Sequence, residues 1–102
     1  KVSEEVVAGN FELGILVCGT GIGVSICANK VPGIRAALCG DTFSAHATRE
    51  HNNANILTLG ERTIGTGLAI DIVDTFINAK FLGERHQRRI DKITEIEKKY
   101  SK

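Results

Sequence analysis

Cys18 ends a short apolar run, Gly14-Ile15-Leu16-Val17, and is followed by Gly19-Thr20-Gly21-Ile22-Gly23. A thiol acts as base or nucleophile only as thiolate, which is favoured where amide N–H groups and a helix N-terminus converge on the sulfur. Alternating glycines suit that arrangement, because they let backbone N–H groups turn toward negative charge. The spacing is G-x-G-x-G, not the G-x-G-x-x-G of dinucleotide sites, and Cys39 rather than an acidic residue ends the next apolar run. An NAD-dependent oxidoreductase is therefore disfavoured. No Gly-Lys-Ser/Thr closes the loop, which excludes a nucleotide P-loop. On glycine spacing alone, a plain strand-to-helix turn and an anion cradle are equally supported. Position ranks Cys18 above the other thiols, because open α/β sheets bind ligands at the carboxyl ends of their strands. Cys27 and Cys39 are expected inside a helix and a strand, as small core residues.

Two polar clusters lie further along. Arg49-Glu50-His51-Asn52-Asn53-Ala54-Asn55 leads out of a predicted helix, so His51 and Asn52 are expected in a loop. A structural histidine and a ligand contact weigh alike there, whereas His46, mid-helix, reads as a surface residue. Glu84-Arg85-His86-Gln87-Arg88-Arg89 opens the last predicted helix, where cations oppose the macrodipole. Arg85 and Arg89 are four apart and share a face. Two guanidinium forks on one face can hold a phosphate. Local pairing with Glu84 or Asp91 is the plainer alternative. Arg62 would be a further clamp, although Glu61 offers it a surface pair.

The elements that must carry these groups follow from punctuation and periodicity. Residues 3–8 read as helix closed by Gly9-Asn10, 13–18 as an apolar strand, and 22–30 as a helix ended by Val31-Pro32-Gly33. Arg35–Cys39 reads as a second strand, and Asp41 or Thr42 caps a helix to about Glu50 or His51. Asn55–Leu59 forms a third strand stopped by Gly60. A helix over Gly65–Ala79 places Leu68, Ile72, Val73 and Phe76 on one face, and a long C-terminal helix over Glu84–Tyr100 carries Ile90, Ile93, Ile96 (or Glu97) and Tyr100 at helical spacing. Continuous apolar strands alternating with helices predict an α/β, Rossmann-like parallel sheet covered on both faces.

With 102 residues, 42% hydrophobic and 25% charged, the chain is one globular domain's worth. A net charge of +1 gives no general reason to expect nucleic acid or an acidic membrane surface. Three cysteines without CxxC spacing argue against a disulfide framework or a zinc site, and reduced thiols fit a cytoplasmic setting. Three strands make a thin sheet and the chain opens in mid-helix, so residues 1–102 are expected to form a domain incomplete at its N-terminus.

Taken together, several segments resemble the ribose-5-phosphate isomerase B (RpiB/LacAB) family of sugar-phosphate isomerases. They are Val17–Gly23, Ala28–Ala37, Asp41–Ala45, Arg49–Asn52 and Arg85-His86-x-Arg88-Arg89. The resemblance implies aldose–ketose isomerisation of ribose 5-phosphate and ribulose 5-phosphate, within pentose phosphate metabolism, without metal or organic cofactor. It implies Cys18 as the proton-transferring base, with the backbone of Gly19, Thr20, Gly21, Ile22 and Gly23 stabilising an enediolate. His51 is then the acid that assists ring opening, Asn52 binds substrate, and Arg62, Arg85 and Arg89 bind mainly phosphate. It further implies a homodimer, or a tetramer, whose active site is shared between subunits. Family members begin with a strand–helix–strand segment bearing an Asp-His pair that this sequence lacks. Galactose 6-phosphate or allose 6-phosphate isomerisation, or phosphosugar binding without catalysis, are the alternatives.

Overall fold

Three strands, β1 (Gly14–Cys18), β2 (Ala36–Leu38) and β3 (Ile56–Gly60), run parallel in the spatial order β1-β3-β2. The computed structural model describes residues 1–100. Parallel neighbours require crossovers, which the helices supply. These are α1 (Val2–Val7), α2 (Ile22–Ala28), α3 (Thr42–Asn52), α4 (Thr66–Asn78) and α5 (Arg85–Tyr100). The α/β architecture with a parallel sheet, helices on both faces and a long C-terminal helix is as the apolar pattern predicts.

The central strand explains why. Successive side chains of β3 point to opposite faces, and all five of its residues are buried. Leu57 and Leu59 join Cys39, Ala45, Ala54, Ile72 and Phe76 in a core beneath α3 and α4. Ile56 packs on the other face with Val6 of α1, Ala28 of α2 and Ile34. Fully burying side chains the size of Ile72 and Phe76 contributes about 1.5–3 kcal/mol each. A strand that is apolar on both faces therefore takes the middle of the sheet. β1 is an edge strand here, and its Ile15 and Val17 are exposed.

Asparagine side chains stitch the margins. Asn29 bridges to Ala36 by accepting from its N–H (2.8 Å) and donating to its carbonyl (3.0 Å), fastening the end of α2 to β2. Asn55 accepts from the Arg35 N–H at 2.8 Å and donates to the Gly33 carbonyl at 3.0 Å.

Element boundaries differ from expectation by one or two residues, and four details need correcting. His51 and Asn52 are helical, not in a loop. The helix continues because Asn53 takes the turn in a left-handed conformation (φ 48°), while Arg49 donates to the Asn53 Oδ1 (3.1 Å) and the Ala54 carbonyl (2.6 Å). Cys27 is exposed rather than a core residue, since α2 rests on the sheet mainly through Ala28. Leu68 is also exposed, so the buried face of α4 is carried by Ile72 and Phe76. On α5 only Ile90 of the predicted apolar stripe is buried, and Ile93, Ile96 and Tyr100 are exposed along a groove shared with Ala36 and Ala37 of β2. Cys39 is buried as expected, and His46 sits at the surface facing Glu50 at 2.9 Å.

Candidate active site

At the carboxyl end of β1 the chain turns abruptly, and the glycines permit it. Gly21 adopts φ 81°, a conformation that side-chain-bearing residues avoid. A Cβ there would also lie 2.8 Å from the Leu59 carbonyl carbon and 2.5 Å from the Leu38 side chain. The turn aims the Gly21 N–H at the Cys18 sulfur, 3.1 Å away. That amide, with those of Val24 and Thr20, holds the Cys18 thiol below its ordinary pKa, against opposing contributions from partial burial and Glu61. The Thr20 hydroxyl accepts from the Ile22 N–H at 3.3 Å, which helps start α2.

Two further contacts brace the loop. Inside the sheet, the fully buried Thr58 of β3 donates its hydroxyl to the Gly21 carbonyl at 3.0 Å. Gly60, the register partner of Cys18, passes so close to the loop that a Cβ would sit 2.6 Å from the Thr20 carbonyl. Neither Thr58 nor Gly60 was a predicted site residue. The signal was a lone hydroxyl in Ile56-Leu57-Thr58-Leu59 and a glycine ending the strand.

Arg62 belongs to this cluster. Its N–H donates to the Gly19 carbonyl at 2.9 Å. Its side chain runs past Gly19, the Cδ 3.6 Å from where a Cβ would stand. No ion pair between Arg62 and Glu61 occurs among the described residues.

The other predicted residues gather elsewhere. His51, in the last turn of α3, stacks on His86 in the first turn of α5, with ring centroids 4.3 Å apart and planes 20° apart. Arg85 and Arg89 flank His86 closely enough to disfavour its protonation. Both are exposed, and among the described residues no ion pair ties either to a carboxylate. Asn52 is exposed beside the pair. His51 precedes β3, so this cluster lies toward the amino ends of the strands, whereas Cys18 and Gly60 mark the carboxyl ends. The five residues of β3 span about 13 Å at ordinary strand rise. One chain therefore gathers the predicted residues in two clusters at opposite ends of the sheet. The Cys18 loop with Arg62 makes one, and the histidine pair with Arg85 and Arg89 makes the other.

The sequence pattern of the Ribose/Galactose Isomerase family matches residues 1–93. The chain belongs to that family. It is 46% identical over 99 residues to ribose-5-phosphate isomerase B of Escherichia coli K12, covering 97% of this chain and 66% of that protein. The chain thus spans about two thirds of the length of the curated relatives it matches. The solved ribose-5-phosphate isomerase B of Clostridium thermocellum superimposes with a TM-score of 0.97 at 60% identity, covering 98% of this chain and 68% of the other. A Mycoplasma genitalium ribose-5-phosphate isomerase B, solved with bound ribulose-5-phosphate, matches with a TM-score of 0.90 at 49% identity. That match covers 95% of this chain and 64% of the other. Among the described residues, no helix is long and apolar enough to cross a membrane.

Proposed function

We propose that the protein is an aldose–ketose isomerase of phosphorylated sugars, interconverting ribose 5-phosphate and ribulose 5-phosphate, with Cys18 as the base. The observation that carries this reading is the Cys18 sulfur, held 3.1 Å from the Gly21 amide within the glycine loop of a family member. A base next to a carbonyl needs a suitable pKa and preorganised donors where charge develops.

In the aldose-to-ketose direction, His51 protonates the ring oxygen as its bond to C1 breaks, and the proton of the C1 hydroxyl returns to His51. The Cys18 thiolate then takes the proton from C2, and the electron pair moves through C1 onto O1. Amides of Gly19 to Gly23 stabilise the resulting enediolate. The thiol returns the proton to C1 while the O2 proton passes to O1, leaving the C2 ketone. Arg62, Arg85 and Arg89 hold the phosphate and Asn52 orients the sugar.

Because Cys18 and His51 occupy opposite ends of one sheet, the working site takes its two halves from two copies of the chain. A homodimer with isologous contacts would place each thiolate loop against the partner's histidine and arginine cluster. Three free cysteines suit a cytoplasmic enzyme.

The test is ribose 5-phosphate turnover by the full-length protein beside Cys18→Ala, with a six-carbon aldose 6-phosphate as competing substrate. Loss of turnover in Cys18→Ala is expected, and turnover at full rate would remove Cys18 as base. Size measurement on the same samples tests the dimer, and a fully active monomer would refute a shared site.

A further inference from the structure

His86 is the one histidine that is buried, with 6% of its surface exposed. Among the described residues its Nδ1 has no hydrogen-bond partner. Buried ring nitrogens ordinarily find a partner, so a bare one marks a side chain placed for something other than its own bonding. The chain spends backbone strain to put it there. Gly83 (φ 70°) and Glu84 (φ 53°) are consecutive left-handed residues immediately before α5, and Glu84 has a side chain to accommodate. The Leu82 N–H donates to the Glu50 carbonyl at 3.1 Å, which ties this reversal to the last turn of α3. The His86 N–H donates to the Gly83 carbonyl at 3.0 Å. These contacts lay the His86 ring flat on His51 at 4.3 Å.

We propose that His86 is the positioning residue of His51, its buried ring fixing the plane in which the His51 imidazole presents its nitrogens to substrate. The proposal rests on the function assigned above to His51. The electrostatics agree with the geometry. The groups facing the His86 ring are His51 and Glu50 on α3 and Arg85 and Arg89 on α5. Burial, then His51 and the two arginines, hold His86 below the ordinary imidazole range, opposed only by Glu50. Of the stacked pair, His51 is the less buried member and so the one that can reach solvent.

The full-length protein tests this by turnover of ribose 5-phosphate and by NMR of the imidazole carbons on the same samples. His86→Ala removes the ring, whereas His86→Phe keeps a flat ring in the stack. His86→Ala is expected to lower kcat by about ten- to a hundredfold with KM changed by less than about twofold, because a misaligned group near the chemistry costs on that order. His86→Phe should recover most of that loss. Independently of turnover, His86 should titrate below the ordinary imidazole range and move upward in His51→Asn. Full kcat in His86→Ala overturns the proposal, as does a folded His86→Phe protein no faster than His86→Ala. A His86 titration unmoved by His51→Asn overturns it equally. A wild-type protein that does not turn over phosphosugars counts instead against the function assigned above, and the titration then decides alone whether the rings act as a pair.

Discussion

The hydroxyl of Thr58 reaches 3.0 Å from the carbonyl of Gly21, joining the central strand to a loop 37 residues earlier in the chain. Thr58 is fully buried, and its hydroxyl shares the Gly21 carbonyl with the Ser25 N–H at 3.3 Å, so its loss removes one of two donors. Thr58→Val keeps the shape and removes the donor, and should cost about 0.5–1.5 kcal/mol of stability. Thr58→Ser should cost less. Urea denaturation of the two variants measures the difference, and equal stability of Thr58→Val and wild type would show that the bond contributes nothing.

The amide-rich turn should make Cys18 more reactive than the buried Cys39. Its thiolate is the species that is alkylated, and its pKa is lowered, so reactivity should persist to lower pH than for an ordinary thiol and vanish as pH falls through the Cys18 pKa. Burial, with Asp41 nearby, pushes the Cys39 thiol up to about 11, so Cys39 should stay unmodified in the folded protein at neutral pH. Iodoacetamide labelling followed by peptide mass mapping across pH separates the sites. Equal rates for Cys18 and Cys39 at neutral pH would contradict the arrangement.

Gly21→Ala should disable the loop without touching the sulfur. The substitution imposes a left-handed alanine, costing roughly 1 kcal/mol or more, and drives a methyl into the Leu59 backbone. The Gly21 N–H then moves off Cys18. The pH profile of Cys18 alkylation should shift upward, toward that of a free thiol. An unchanged profile in a folded Gly21→Ala protein would mean that this amide does not set the pKa.

Arg85→Gln and Arg89→Gln should each weaken phosphosugar binding by about ten- to a hundredfold, since a charge-assisted bond contributes about 1.5–3 kcal/mol. KM should rise more than kcat falls, because the phosphate is distant from the reacting carbons. Isothermal titration with ribulose 5-phosphate measures the affinity directly. Unaltered affinity in both variants would leave the arginines as solvated surface.

How far the sequence told this story depends on the residue. Gly9-Asn10, Val31-Pro32-Gly33 and Gly60 punctuate the chain strongly, and the strands between them are apolar without alternation, so the parallel sheet was readable. The end of α3 was not. Asn52-Asn53-Ala54-Asn55 has loop composition, yet Arg49 reaches forward to Asn53 and Ala54 and holds the helix through Asn52. His86 was hidden for a different reason. It lies within a run of charged residues, and only the two-residue reversal at Gly83 and Glu84 turns its ring inward. Cys27 misled because a seven-residue helix can bury only a narrow stripe, and Ala28 takes it. The predicted site residues were legible as types, but their division between two ends of the sheet depends on strand direction, which composition does not carry.

Cys18 and His51 lie at opposite ends of one sheet, so in the proposed dimer two chains broken at different places would repair one another. Under the proposed roles, a homodimer of Cys18→Ala chains would lack the base, and a homodimer of His51→Asn chains would lack the ring-opening acid. Mixed and reassembled, half the dimers would pair one chain of each kind. Each such heterodimer would unite the surviving Cys18 with the surviving His51 in one of its two sites, restoring about a quarter of wild-type turnover. Two inactive gene copies would then support a cell that neither supports alone, while a single copy carrying both substitutions would not.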